Sequence, residues 1–181
     1  MSAIHPLAFN GAGAMPMGRW TVTEDEAKAY TVTPDDVLRQ ELWAEWTQVT
    51  EGLRAAVGHL PFCWLGGSFF TSKDEPGDID CVYFIEPVHL FAAKMDPQAA
   101  RLVQLASGGK QIKQFLGLRV DSFIVPWTPT SALDPRDEGA GEYFQRRGFW
   151  DDLWCRHRDD DHRLNRIPRR GYLEVILDGI Q

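Results

Sequence analysis

Residues 64–85 read WLGGSFFTSKDEPGDIDCVYFI and place two short apolar runs on either side of a polar loop. The first run ends in the turn Gly-Gly-Ser at 66–68, and the second begins at Asp78 and Asp80, ten and twelve residues after the serine. Short apolar runs bounded by glycine and polar turn residues are typical of buried strands. We therefore predict two strands joined by a loop, with a gap of phosphate size between the glycine turn and the acidic residues.

Asp78 and Asp80 carry the chemistry expected of this gap. Side chains at i and i+2 of a strand point to the same face, with α-carbons roughly 6.5–7 Å apart, while Ile79 between them points into the core. Two carboxylates this close repel each other, which raises the pKa of one of them. A divalent cation relieves the repulsion, and oxygen ligands at this spacing suit Mg²⁺. The pattern therefore predicts a magnesium site.

The glycine turn offers a place for phosphate. Gly66 and Gly67 have no side chain, so the backbone can approach a ligand closely. The Ser68 hydroxyl and the neighbouring amides can then donate hydrogen bonds to phosphate oxygens. Lys73 and Lys110 could reach a triphosphate, and the alternative for both is an ordinary solvated lysine.

The Gly-Gly-Ser turn followed by Asp-x-Asp resembles the signature of the nucleotidyltransferase fold shared by polymerase beta, CCA-adding enzymes and aminoglycoside nucleotidyltransferases. In that superfamily the serine turn contacts the triphosphate, the Asp-x-Asp pair holds two magnesium ions, and a third carboxylate lies on a later strand. The resemblance implies these first two roles for Ser68, Asp78 and Asp80. Asp121, within LRVDSFIVP, is the best candidate for the third carboxylate. The alternative for Asp121 is an aspartate that faces water from an edge strand.

Both ends of the chain also resemble small uncharacterised bacterial and phage nucleotidyltransferase-like proteins. The matching segments are FNGAGAMPMGRW with TVTEDE at residues 9–26, YFQRRGFWDDLW at 143–154 and RIPRRGYLEVIL at 166–177. Those proteins typically open with Phe-Asn … Leu-Pro-Pro-Gly and close with Lys-Gly-Ile, where this chain has Met-Pro-Met-Gly and Arg-Gly-Tyr. The resemblance spans nearly the whole chain, and its specific motif lies in the centre.

The resemblance implies a magnesium-dependent nucleotidyltransferase that moves a nucleoside monophosphate from an NTP to an acceptor, which is RNA, protein or a small molecule. Asp78, Asp80 and Asp121 would be both catalytic and metal-binding. The alternative is a catalytically inactive nucleotide-binding or regulatory protein on the same scaffold. A toxin–antitoxin or tRNA-directed component is a further form of that alternative, suggested by eight arginines between residues 146 and 170.

Composition limits the class of protein. A chain of 181 residues predicts a single domain over 1–181, with an extended N-terminal arm over about residues 1–30. The net charge of −7 argues against a protein devoted to neutralising a nucleic-acid backbone. Three cysteines without metal spacing, and no apolar run of the roughly 18 residues that a membrane span needs, predict a soluble cytoplasmic protein with no membrane partner.

Periodicity predicts the remaining elements. Apolar residues at helical spacing between Thr33 and Gly58 predict one long helix that starts at a threonine cap. We further predict strands over 80–86, 118–125 and 171–177, and a helical stretch interrupted at Asp96-Pro97. Residues 128–141 are predicted as a mobile loop. A helix over about 142–156 places Phe144, Trp150, Leu153 and Trp154 in an aromatic band, and residues 157–166 are predicted as a solvated turn. This order predicts an α+β fold with a small mixed β-sheet flanked by helices. The resemblance implies that this fold is nucleotidyltransferase-like.

Overall fold

A computed structural model describes residues 9–128, 134, 136, 140–158 and 161–179 of the chain. Five strands form one mixed sheet in the order β1-β5-β2-β3-β4. The β1–β5 and β3–β4 pairs are parallel, whereas β2 is antiparallel to both of its neighbours. The strands are β1 Arg19–Thr23, β2 Phe62–Gly66, β3 Ile79–Ile85, β4 Val120–Pro126 and β5 Tyr172–Ile176.

Six α-helices flank this sheet in the part of the chain that the structure describes. They are α1 Glu24–Thr31, α2 Val37–Val57, α3 Pro87–Ala93, α4 Pro97–Ala106, α5 Gln111–Leu116 and α6 Ala140–Trp154. The predicted α+β class with a small mixed sheet is confirmed. None of these helices is long and apolar enough to cross a bilayer.

Alternate residues of β3 belong to two separate hydrophobic cores. Cys81 and Tyr83 pack into the larger core with the buried face of α2. Val82 and Phe84 point the other way and pack with the aromatic side chains of α6. Asp80 shares the parity of Val82, so it points to the α6 side of the sheet.

The long helix α2 begins later than its sequence pattern predicted. Thr33 is not its cap: Asp36 accepts a hydrogen bond from the Arg39 amide at 2.9 Å, and the helix starts at Val37. An aspartate side chain at that position satisfies one of the free amides of the first turn. The predicted end is confirmed, since Gly58 adopts a left-handed conformation with φ +79°.

The N-terminal region is more regular than the predicted extended arm. Residues 19–23 form β1, which pairs with β5, and α1 follows directly. Thr23 caps α1 in a reciprocal capping box with Glu26. The Thr-x-x-Glu spacing in the sequence is a helix-start signal that predicts this turn. Residues 9–18 lack helix or extended strand, as the arm prediction expected.

Only two of the four side chains in the band predicted on α6 pack into the core. Trp150 and Trp154 pack into the core on their side of the sheet, but Phe144 and Leu153 are about 40% exposed. A helix that covers only part of a sheet face leaves its outer positions in water. Most of the predicted loop at 128–141, together with Asp159 and Asp160, lies outside the described residues.

Candidate active site

A cavity of about 1090 Å³ opens where β2 ends and where β3 and β4 begin. Four segments distant in sequence line it. They are residues 12–13 before β1, residues 67–80 from the end of β2 into β3, Lys110 with Asp121, and residues between 153 and 170 from the end of α6 onwards. The cavity therefore lies at one end of the sheet and outside both hydrophobic cores.

The three aspartates predicted from the sequence all line this cavity. Asp80 of β3 and Asp121 of β4 are direct partners in the parallel register. Partners on adjacent strands lie about 4.8 Å apart and point to the same face. Asp78 precedes β3 by one residue and completes the group. The chain thus brings together three carboxylates from two strands.

Burial and like charge act together on Asp80. The pKa of Asp80 is raised to about 6, first by burial and then by the carboxylates of Asp78 and Asp121, against a smaller opposing effect of Arg170 and Arg158. An unbound cavity therefore holds Asp80 close to half-protonated near pH 6.

The pKa of Asp121 is shifted in the same direction. Its pKa is raised first by burial and then by Asp78, while Lys110 and Lys113 lower it. Its Oδ1 atom is buried and has no hydrogen-bond partner among the residues that the structure describes. A buried carboxylate oxygen without a donor is rare in folded proteins and calls for a cation or a ligand hydroxyl.

Gly67 fits the site in a way that no other residue would. Its φ is +75°, and a β-carbon on it would lie 1.7 Å from Oδ2 of Asp80. Its carbonyl accepts a hydrogen bond from Arg170 at 3.1 Å. Ser68 follows it, opens a 3₁₀ turn over Ser68–Phe70 and lines the cavity. Gly67 therefore lets the serine turn lie directly against the acidic group.

Gly66 has a different position from the one predicted. It is the last residue of β2, lies opposite Asp80 in the antiparallel register, and is buried against Trp154. A β-carbon on Gly66 would lie 3.2 Å from the indole ring, so its small size serves the packing behind the cavity. The cavity surface itself begins at Gly67.

Arg39 holds the loop after the serine turn, a role that no local sequence pattern indicates. This arginine of α2 is only 6% exposed, and its guanidinium donates to the carbonyls of Phe69, Thr71 and Lys73. Asp36 pairs with it at 3.0 Å. Burial lowers the pKa of Arg39, and Asp36 opposes that effect. One cation thus fixes three carbonyls of the loop that lines the cavity.

The N-terminal segment forms another wall. Gly13 accepts a hydrogen bond from the Ser72 amide at 2.7 Å, and Ala14 forms a bridge with Thr71. Gly13 has φ +68°, and a β-carbon on it would lie 1.9 Å from the Ser72 hydroxyl oxygen. The segment predicted as an extended arm is therefore tied to the loop after Ser68.

Basic side chains face the acidic group across the cavity. Lys73 and Lys110 line it, as do three of the late arginines: Arg156, Arg158 and Arg170. Arg170 also donates to the Trp154 carbonyl at 2.9 Å, and burial lowers its pKa. The sequence shows that basic residues crowd near its end, but it does not show which of them line the cavity.

The other late arginines have different surroundings. Arg146 pairs with Glu142, Arg163 pairs with Asp161, and Arg147 lies over the ring of Trp64. These six arginines therefore divide between the cavity, local ion pairs and the aromatic core. They do not act as one basic surface.

The acidic side of the cavity fits Mg²⁺. Its donors are carboxylate oxygens, which are the ligands that Mg²⁺ prefers. A cation would remove the repulsion that raises the pKa of Asp80 and Asp121, and it would give Asp121 Oδ1 a partner. Asp78, Asp80 and Asp121 are the residues that would hold it.

Fold and cavity together define an α+β protein whose mixed sheet carries an acidic site with basic walls at one end. The chain belongs to a family described as a family of unknown function (DUF6932), whose model matches residues 7–176. Comparison with curated proteins and with solved structures gave no significant match.

Proposed function

We propose that this protein is a magnesium-dependent nucleotidyltransferase. It moves a nucleoside monophosphate from an NTP to an acceptor hydroxyl and releases pyrophosphate. The observation that carries the proposal is the register of Asp80 with Asp121, with Asp78 beside them, at a cavity whose other walls are basic. Carboxylates that converge against their own repulsion support a site built for cations rather than for packing.

The acceptor oxygen forms a bond to the α-phosphorus, and the bond from that phosphorus to the β-bridging oxygen breaks. Asp121 accepts or orients the hydroxyl proton, which passes on to solvent, and its raised pKa suits this role. Bound Mg²⁺ would supply positive charge for the attacking and leaving oxygens.

The serine turn and the basic walls hold the triphosphate. Ser68 and the adjacent amides donate to the β- and γ-phosphates, and Lys73 and Arg170 offset their charge. Arg39 and Gly13 fix the loop that carries Ser68, so the site exists before the nucleotide arrives. The acceptor is RNA, a protein or a small molecule, and three free cysteines fit a reducing cytoplasm.

Transfer of label from α-³²P-NTPs tests the proposal. The purified chain is incubated with each NTP, Mg²⁺ and three acceptor pools: total RNA, proteins and small hydroxyl compounds. We expect one pool to be labelled by wild type but not by Asp80→Asn or Asp121→Asn, because each variant removes a charge on which the reaction depends. Labelling that survives in both variants would refute this assignment of the site.

A nucleotide-binding protein without turnover is the second candidate, and Arg170 favours it. Its charge lies close enough to lower the pKa of Asp80, so Arg170 already offsets part of the repulsion that a bound cation would relieve. This candidate predicts NTP binding in the same assay mixture with no label in any acceptor pool. Equilibrium dialysis with labelled NTP, run beside the transfer assay, separates the two functions.

A further inference from the structure

Two histidines and a glutamate meet at the opposite end of β3 from the aspartates. His59 follows α2, Glu86 follows the last residue of β3, and His89 lies in the first turn of α3. Ligand atoms from these three side chains lie within 4.8 Å of one another. Glu86 lies six residues after Asp80 along β3, which places this cluster roughly 20 Å from the aspartates.

Glu86 and His89 are brought together by the start of α3. Residues three apart on a helix are neighbours on its surface. Glu86 is the N-cap of α3 with Pro87 after it, but its carboxylate makes no capping hydrogen bond. The carboxylate is therefore available to another partner. Its Oε1 atom lies 3.8 Å from Nδ1 of His59.

His59 is the buried member of the group. It is 5% exposed, and its Nε2 atom is buried without a hydrogen-bond partner in the described part of the chain. The 3.8 Å from Nδ1 to Glu86 is longer than a hydrogen bond. An imidazole this buried normally satisfies its nitrogens. The ring of His89 lies beside it, with centroids 5.5 Å apart.

We propose that His59, Glu86 and His89 form a second metal site, which binds Zn²⁺. Two imidazoles and one carboxylate are a common zinc donor set, with water in the fourth position. Mg²⁺ prefers oxygen ligands alone, so the two sites differ in chemistry as well as in place. The zinc site is independent of the proposed nucleotidyl transfer.

Binding contracts the cluster. Ligand atoms around a tetrahedral zinc ion lie about 3.4 Å apart, given metal–ligand bonds of about 2.1 Å. Glu86 and His89 are only partly buried, so their side chains can close on the ion while His59 stays in place. The ion then joins three elements, the end of α2, the end of β3 and the start of α3, and stabilises that corner of the fold.

Titration of the tag-free, chelator-treated full chain with Zn²⁺, followed by isothermal calorimetry, tests the site. We expect one equivalent of Zn²⁺ to bind and to raise the unfolding temperature. Substitution of either partly exposed ligand, His89→Ala or Glu86→Gln, weakens Zn²⁺ binding by at least about tenfold. Circular dichroism reports whether each variant is folded. If His89→Ala does not fold, the test of the zinc site rests on the near-isosteric Glu86→Gln.

Two matched controls separate this site from the rest of the chain. Asp80→Asn removes a charge from the acidic cavity, and His162→Ala removes an exposed histidine outside the cluster. Both retain the full equivalent of Zn²⁺ if the proposal is correct. Absence of Zn²⁺ binding to wild type, or unchanged binding by Glu86→Gln, overturns it. Loss of the zinc equivalent in Asp80→Asn would assign the ion to the aspartates and overturn it as well.

Discussion

Asp80 makes folding stability depend on pH at the scale of one residue. Its pKa rises from 3.8 to about 6 on folding, so the folded state binds more protons than the unfolded state between these values. The free energy of unfolding then falls as the pH rises from about 4 to 6, by about 2 to 3 kcal/mol for this residue. Its contribution becomes constant about one pH unit above the folded pKa.

Removal of that charge should therefore stabilise the metal-free protein. We predict that Asp80→Asn has a higher free energy of unfolding than wild type at pH 7.5 in EDTA, and that the difference narrows towards pH 4. Urea unfolding across this pH range measures it. Mg²⁺ should stabilise wild type at pH 7.5 and have much less effect on the variant. A pH-independent difference would contradict the burial of this carboxylate among like charges.

Gly67 gives a second prediction at this scale. Gly67→Ala forces a side chain into a left-handed conformation and towards Asp80 Oδ2. We expect a loss of about 1 to 3 kcal/mol in stability and a loss of nucleotide binding, measured by urea unfolding and equilibrium dialysis.

Gly148→Ala is the control for that variant. Gly148 lies within α6, and a β-carbon on it meets no atom within 4 Å. Alanine there should stabilise the protein by roughly 0.5 to 1 kcal/mol and leave nucleotide binding unchanged. Equal effects of the two substitutions would show that the close approach at Gly67 has no functional meaning.

At the scale of the element, Arg39 links α2 to the loop after the serine turn. Arg39→Met leaves Asp36 without its ion pair and three loop carbonyls without a donor. We predict a loss of about 3 kcal/mol in stability, because buried loop carbonyls are left without a donor. NTP affinity should fall as well, since the loop is no longer fixed.

Arg54→Met is the matched control for this arginine. Arg54 lies on the same helix and pairs with Glu51 and Asp178, away from the cavity. Its loss should lower stability by less, because these pairs are more exposed, and NTP affinity should not change. If both variants bind NTP equally well, Arg39 supports the fold and has no role in positioning the loop.

Individual elements show what could be predicted from the sequence. The strand that carries Asp80 was predictable because strand period, glycine turn and acidic residues all lie within 64–85. The role of Asp121 required the parallel pairing of β3 with β4, which a superfamily resemblance suggested but no local pattern contains. Arg39 and Arg170 reach the site from remote segments, and side chains of this kind have no local signature.

β1 was missed for a related reason. Its five residues lie in a glycine-rich region, and they pair with β5, about 150 residues later. Short strands are stabilised by their neighbours more than by their own propensity. The capping box at Thr23 was the one local signal there, and it belongs to α1.

At the scale of the whole molecule, the two sides of the sheet differ in how firmly they are covered. Eight residues of α2 are buried, compared with Ala140 and Trp154 in α6. We predict that amides of α6 exchange with deuterium well before those of α2, because fewer buried contacts must break. Hydrogen-exchange mass spectrometry measures this order, and equal protection of both helices would contradict it.

Nucleotide should change this pattern in a defined way. Leu153 and Trp154, at the end of α6, line the cavity beside Ser68 and Asp80. Addition of NTP and Mg²⁺ should therefore slow exchange in peptides covering 66–80 and 150–158. Peptides from the middle of α2 provide the internal control, since that helix already has its full protection.

β5 lies between β1 and β2 in the sheet, although it follows both by more than 100 residues. During synthesis on the ribosome, neither of those two strands can acquire its shared neighbour until residues 172–176 have left the exit tunnel. A nascent chain stopped earlier leaves one edge of β1 and one edge of β2 unpaired, and unpaired strand edges recruit other chains. Assembly of this sheet therefore depends on translation reaching β5.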